Sequence, residues 1–114
     1  MSRRMTFLAA LGAWALASFA APPAAGVTAR EANEAGTTLF QAGRNEEAAA
    51  RFEEALALDP ASAQIRHNLA VALASAAQED LQAGRLDTAR ERLERAVGLA
   101  PGEAHAHLLL AAVF

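Results

Sequence analysis

The chain has 114 residues, a formal net charge of −3, 54% hydrophobic residues and no cysteine. Its length allows one small domain. The absence of cysteine excludes a disulfide framework, a cysteine lipid anchor and thiol catalysis. The acidic balance argues against nucleic-acid binding, which requires a basic surface.

Residues 1–26 are predicted to be a secretory signal peptide with a short linker. A basic start over residues 1–4 precedes an apolar run of about 15 residues, and two prolines follow. Small residues favour cleavage before Ala21 or before Val27. This pattern predicts Sec-type export, to the periplasm or to the medium. The alternative is an uncleaved membrane anchor, although the run is shorter than the ~20 residues that span a bilayer.

The next segment carries the local patterns of two antiparallel helices. Thr28 and Glu31, three residues apart, predict a capping box at the start of the first helix. Gly43 is predicted to end that helix, because glycine adopts the left-handed C-cap conformation without steric cost. Asn45 is predicted to cap the second helix and Pro60 to end the unit.

Across these two helices, the spacing of small and apolar residues resembles that of the tetratricopeptide repeat family. The family's repeat is 34 residues long, and its two helices touch at a fixed set of positions. When the repeat is counted from Ala29, small and apolar residues hold these positions, and Phe52 fills the gap between the helices. In chain order these residues are Ala32, Ala35, Gly36, Leu39, Ala48, Phe52, Ala55 and Pro60. Residues 29–62 are therefore predicted to form one complete repeat.

The second predicted repeat, residues 63–102, departs from this period. Pro60 and Pro101 lie 41 residues apart (101 − 60), seven more than the 34-residue period. Because seven residues are close to two helical turns, an insertion of this size keeps the apolar stripe on nearly the same face. We therefore expect one long helix over about residues 63–83, in which residues 74–81 form an overhang.

The remaining chain completes this repeat and starts a third. Gly84 is predicted to end the long helix and Asp87 to cap the next one, which carries Ala89, Leu93 and Ala96 at the contact places. Residues 103–114 contain only the first helix of a third repeat. The predicted fold is an all-α, right-handed helix–turn–helix solenoid of about two and a half repeats, with an extended first helix in the second.

The resemblance implies a non-catalytic module that binds a protein or peptide. In the family's arrays, residues at places 2, 5, 9, 12 and 13 of the first helix line a concave groove. Here these residues are Arg30, Asn33, Thr37, Phe40 and Gln41, followed in the second repeat by Gln64, His67, Val71, Ala74 and Ser75. The groove is expected to be small, polar and nearly neutral, and to suit an extended peptide or a partner helix. The alternative is that these are ordinary exposed helix residues.

One branch of the family binds acidic C-termini through a carboxylate clamp, and the resemblance does not extend to it. The clamp has Lys and Asn at the places held here by Asn33 and Thr37. Only Asn68 fits the clamp pattern. A carboxylate-binding site is therefore not predicted.

Two apolar surfaces add candidate contacts. Residues 69–77, with Leu73 near the middle, are apolar all round, which marks a helix covered on more than one side. The C-terminal helix is an apolar run through Phe114, although solenoids need a polar terminal cap. Either the chain is the front of a longer array, or this face docks onto a partner. Self-association is a further possibility through either surface.

No catalytic, metal or cofactor site is predicted. His105 and His107 lie two residues apart on a helix, point about 200° away from each other and cannot share an ion. No Ser or Thr has the sequence context of a nucleophile with its base. The arginines within residues 85–95 alternate with acidic residues, which predicts a solvated, salt-bridged helix face.

Two other functions are compatible with the same predicted repeats. The chain could be the N-terminal repeat segment of a larger exported enzyme, such as a peptidase, or a membrane-tethered scaffold if the signal is retained. The leading prediction is an exported scaffold or adaptor that binds another protein.

Overall fold

The computed structural model describes residues 26–113. Five α-helices and no strands occur within that range: α1 Ala29–Gln41, α2 Asn45–Leu58, α3 Ala63–Gln82, α4 Leu86–Leu99 and α5 Ala104–Val113. The all-α prediction is confirmed. None of the described helices is long and apolar enough to cross a membrane. The predicted signal and Phe114 lie outside the described residues.

Both ends of α1 have the predicted local structure. The Thr28 Oγ1 accepts from the Glu31 backbone N–H at 3.1 Å, and a Glu31 carboxylate oxygen accepts from the Thr28 N–H at 3.0 Å. At the other end, Gly43 has a φ of +80°. The N–H groups of Gly43 and Arg44 donate to the carbonyls of Phe40 and Leu39, which is a Schellman motif. Gly84 ends α3 in the same way, with a φ of +81°.

The predicted N-caps of α2 and α4 are wrong. The N-cap residues are Arg44 and Arg85, and neither side chain makes a capping hydrogen bond. Asn45 is already the first residue of α2, and Asp87 lies in the first turn of α4. The turn after each left-handed glycine is tighter than expected, because the residue after the glycine also bonds back to the preceding helix.

The helices α1 and α2 pack through the predicted small residues, with one exception. Ala32, Ala48 and Ala55 are buried, and an added Cβ on Gly36 would lie 2.6 Å from a ring carbon of Phe52. Ala35, in contrast, is exposed. Its equivalent in the second repeat, Leu69, is fully buried because it lies against the preceding repeat. No described helix precedes α1 to cover Ala35.

The long helix α3 has 20 residues and is about 30 Å long at 1.5 Å per residue. Three helices cover its apolar segment: α2 through Phe52, α4 through Leu93 and α5 through Ala106. Leu73 is only 8% exposed. The segment is covered on more than one side, as its composition predicts, so residues 69–77 do not offer a free surface for self-association.

At the end of the described chain, α4 and α5 differ in how much they bury. Ala89, Leu93 and Ala96 of α4 are fully buried, as predicted. In α5 only Ala106 is buried, and Leu108 is 71% exposed. The α5 helix thus packs against α3 and α4 along one edge and leaves the remainder of its apolar surface open.

Candidate functional site

A groove of about 170 Å³ lies between α1, α2 and α3. Its lining combines three apolar with three polar side chains: Phe40, Phe52 and Val71, and Thr37, His67 and Asn68. Phe52 serves two purposes, because the same ring also packs against Gly36. The groove therefore has an apolar floor that belongs to the core and a rim able to make hydrogen bonds.

The structure brings together only some of the predicted partner-binding residues. Thr37, Phe40, His67 and Val71 line the groove, whereas Ala74 is buried in the core like Leu73. The rest lie outside the lining: Arg30, Asn33, Gln41, Gln64 and Ser75. The sequence prediction missed two lining residues, Phe52 and Asn68. Asn68 does not hold one of the five groove positions of the first helix, and Phe52 belongs to the second helix of its repeat.

Beside the groove, two amide side chains bond to each other. The Asn68 Nδ2 donates to the Asn33 Oδ1 at 3.0 Å, which joins α3 to α1. The neighbouring cation, Arg30, is exposed and pairs with Glu34 at 3.4 Å. The one residue that fits a carboxylate clamp is therefore engaged within the chain, and no arginine lines the groove.

The groove also contacts the start of the third predicted repeat. His67 Nδ1 lies 3.9 Å from Glu103 Oε2, and the Glu103 carboxylate accepts from the His105 backbone N–H at 3.3 Å. His107 contacts the Pro101 carbonyl through Nε2 at 2.7 Å. His67 remains largely exposed. The side chains of His67 and His107 thus each have a local partner, and the described residues contain no group of three or more His, Cys, Asp or Glu able to hold a metal ion.

On another part of the surface, a buried carboxylate joins three helices. Asp80 of α3 is 1% exposed, and its two oxygens accept from Arg85 Nε at 2.9 Å and from Arg92 Nη1 at 2.5 Å. The other terminal nitrogen of Arg92 donates to Glu46 of α2 at 2.6 Å. Burial lowers the pKa of Arg92, but the hydrogen bonds that it donates to Glu46 and Asp80, with the negative charge of both carboxylates, outweigh burial and raise that pKa above its usual value.

A second ion pair runs parallel to the first. Both Arg95 Nε and Nη2 donate to the Glu53 carboxylate, at 2.9 and 2.6 Å, and these bonds raise the pKa of Arg95. Arg92 and Arg95 form salt bridges, as predicted, but Arg92 is only 23% exposed and is therefore not on a solvated face. Both arginines reach across to α2, because a guanidinium on a long stem can bridge helices whose backbones are apart.

The described helices form helix–turn–helix pairs, with the groove at the junction of α1, α2 and α3. Two family models match: one described as TPR repeat over residues 36–75, and one described as Tetratricopeptide repeat over residues 75–114. The chain belongs to the tetratricopeptide repeat family, whose repeats are non-catalytic modules that generally mediate protein–protein interactions. A search of curated proteins found no match.

Proposed function

We propose that the chain is an adaptor that binds a peptide segment of another protein in the groove between α1, α2 and α3. The observation that carries this proposal is the composition of the lining, in which Phe40, Phe52 and Val71 form an apolar floor beneath a polar rim. Binding sites for small groups are typically apolar pockets with a few polar groups that fix orientation.

The size of the groove favours one inserted side chain. Its volume is about 170 Å³, and a cavity of about 150 Å³ holds a benzene-sized ring. The ligand we propose is therefore an extended peptide with one aromatic or large aliphatic anchor. The Thr37 hydroxyl already donates to the Asn33 carbonyl, so its free lone pair acts as an acceptor for a peptide N–H.

The charge around the groove supports a neutral or basic peptide rather than an acidic one. The lining contains no arginine, Arg30 pairs with Glu34, and Glu103 lies beside His67. A peptide carboxylate would find no unpaired guanidinium in this lining. A partner recognised by an apolar anchor, without a C-terminal carboxylate, fits these residues better.

A test of the groove uses peptides selected from a random display library on the full chain. Val71→Glu is expected to weaken binding of the selected peptides about tenfold or more, because it places a charge in the apolar floor where the anchor side chain of the peptide would bind. Titration calorimetry measures the Kd. The matched control is Gln78→Glu, which adds the same charge at an exposed site on α3. Equal affinity for both variants would rule out the groove.

We also propose that the protein works after Sec-type export, on the basis of the basic, apolar and small-residue pattern of residues 1–26. N-terminal sequencing of exported material is expected to start between Ala21 and Val27. A start at Met1 or Ser2 in the membrane fraction would contradict cleavage and favour a tethered scaffold.

A further inference from the structure

The contact between the first two repeats is asymmetric. The α2 helix packs against α3 along its length, whereas α1 and α3 touch only briefly. The backbones of α2 and α4 do not pack against each other, so these outer helices are joined through side chains. The joining groups are the ion pairs Glu46–Arg92 and Glu53–Arg95. Among the described residues, these two pairs supply the side-chain hydrogen bonds between α4 and the first repeat.

The first of these pairs is held in place from inside the protein. The guanidinium of Arg92 places one nitrogen on Glu46 and another on Asp80, which is 1% exposed. A planar guanidinium with two fixed bonds has little freedom to turn, and its side chain is only 23% exposed. Asp80 thereby positions Arg92 for Glu46, and one residue of α4 contacts both α3 and α2.

The buried carboxylate lies in the part of α3 that departs from the repeat period. Residue 80 belongs to the two added turns, residues 74–81, and lies 13 residues beyond His67, or about 20 Å along the helix. The 34-residue frame has no such turns. The added turns extend α3 beyond α1 and place a carboxylate where α2 and α4 approach it.

We propose that Glu46–Arg92 and Glu53–Arg95, with Asp80 supporting Arg92, form an inter-repeat clamp that fixes the angle between the two repeats. The clamp is a positioning device rather than a binding site. Because the groove is lined by α1 and α2 on one side and by α3 on the other, a fixed angle keeps the groove at constant width. A preformed groove lowers the ordering cost of binding.

The chain offers a closely matched pair of variants. Glu46→Gln with Glu53→Gln removes the two negative charges that α2 contributes to the inter-repeat clamp. Glu47→Gln with Glu54→Gln removes two neighbouring charges that pair locally, Glu47 with the N-cap residue Arg44 at 2.6 Å and Glu54 with Arg51 at 3.1 Å. Each double variant changes the net charge equally, and each leaves Asp80 bonded to Arg85 and Arg92. Glutamine has nearly the size of glutamate and keeps a side chain that forms hydrogen bonds, so both proteins are expected to fold, including the control, in which the Glu54 side chain is only 11% exposed.

The experiment uses the full chain and measures the distance between spin labels attached at Thr38→Cys on α1 and Arg90→Cys on α4. Both positions are exposed, and the chain has no native cysteine that would also be labelled. Loss of the clamp is expected to shift and broaden the distance distribution, with helicity by circular dichroism unchanged. The Glu47/Glu54 variant should retain the unmodified distribution. Identical distributions for all three proteins would overturn the proposal. No ligand is needed, so a failure here is separate from a failure of the peptide-binding proposal.

Discussion

Asp80→Ala is expected to lower the free energy of unfolding by about 3 kcal/mol, because it removes a buried carboxylate with two hydrogen bonds from arginines, and a hydrogen bond to a charged group contributes about 1.5–3 kcal/mol. Both oxygens of Asp80 are bonded, to Arg85 and to Arg92, and the residue is 1% exposed. The alanine variant loses these bonds and leaves Arg92 with Glu46 alone. Urea denaturation followed by circular dichroism measures the loss.

The control is Glu91→Ala, an exposed acidic residue on α4, whose substitution should change stability by less than about 0.5 kcal/mol. A double variant, Asp80→Ala with Arg92→Ala, tests the mechanism. If the pair is coupled, the double variant should lose about 0.5–3 kcal/mol less than the sum of the single losses. Equal losses for Asp80→Ala and Glu91→Ala would show that the buried carboxylate contributes nothing particular to stability.

Gly36→Ala is the second substitution with a large expected effect, and its sign is unusual. In the interior of a helix this change normally stabilises by about 1 kcal/mol. Here the added Cβ would lie 2.6 and 2.7 Å from two carbons of the Phe52 ring. Overpacking a core costs up to about 3 kcal/mol, which exceeds the helix gain, so we expect a net loss of up to about 2 kcal/mol by urea denaturation.

Two comparisons separate this clash from a general effect of glycine. Gly98 lies within α4, and an added Cβ there would meet nothing within 4 Å, so Gly98→Ala should be neutral or stabilising. In a Phe52→Leu background, Gly36→Ala should lose most of its cost. That pair copies the second repeat, in which Ala70 and Leu93 hold the equivalent places and are fully buried. If Gly36→Ala lowers stability as much in the Phe52→Leu background as in the unmodified protein, a clash with the Phe52 ring is not the cause.

Local sequence patterns predicted the helix ends that depend on a few adjacent residues. Thr28 and Glu31 form the capping box, and Gly43 and Gly84 take the left-handed conformation, because these motifs close within one helical turn. The same reasoning failed for Asn45 and Asp87. Whether a polar residue caps a helix depends on where the preceding turn ends, and a shift of one residue, as for Asn45, or of two, as for Asp87, removes the bond.

Four of the six residues that line the groove could be predicted from the repeat frame. Thr37, Phe40, His67 and Val71 follow from counting along the first helix of each repeat. The contribution of Phe52 could not be read in this way, because its ring edge reaches the groove from α2. Gln41 and Gln64 met the counting rule and still lie outside the lining, since the frame gives a direction from the helix and not a distance to the neighbouring one.

The sequence by itself determined the class of this protein, because the 34-residue pattern of small residues, glycine and proline specifies how two helices touch within one repeat. Only the tertiary structure decided which faces are covered and where charges pair. Ala35 is exposed and its equivalent Leu69 is buried, although both occupy the same place in the frame. Arg92 pairs with Asp80 and Glu46 rather than with its own helix. Burial and ion pairing depend on what lies across from a residue, and that is a property of how the repeats stack.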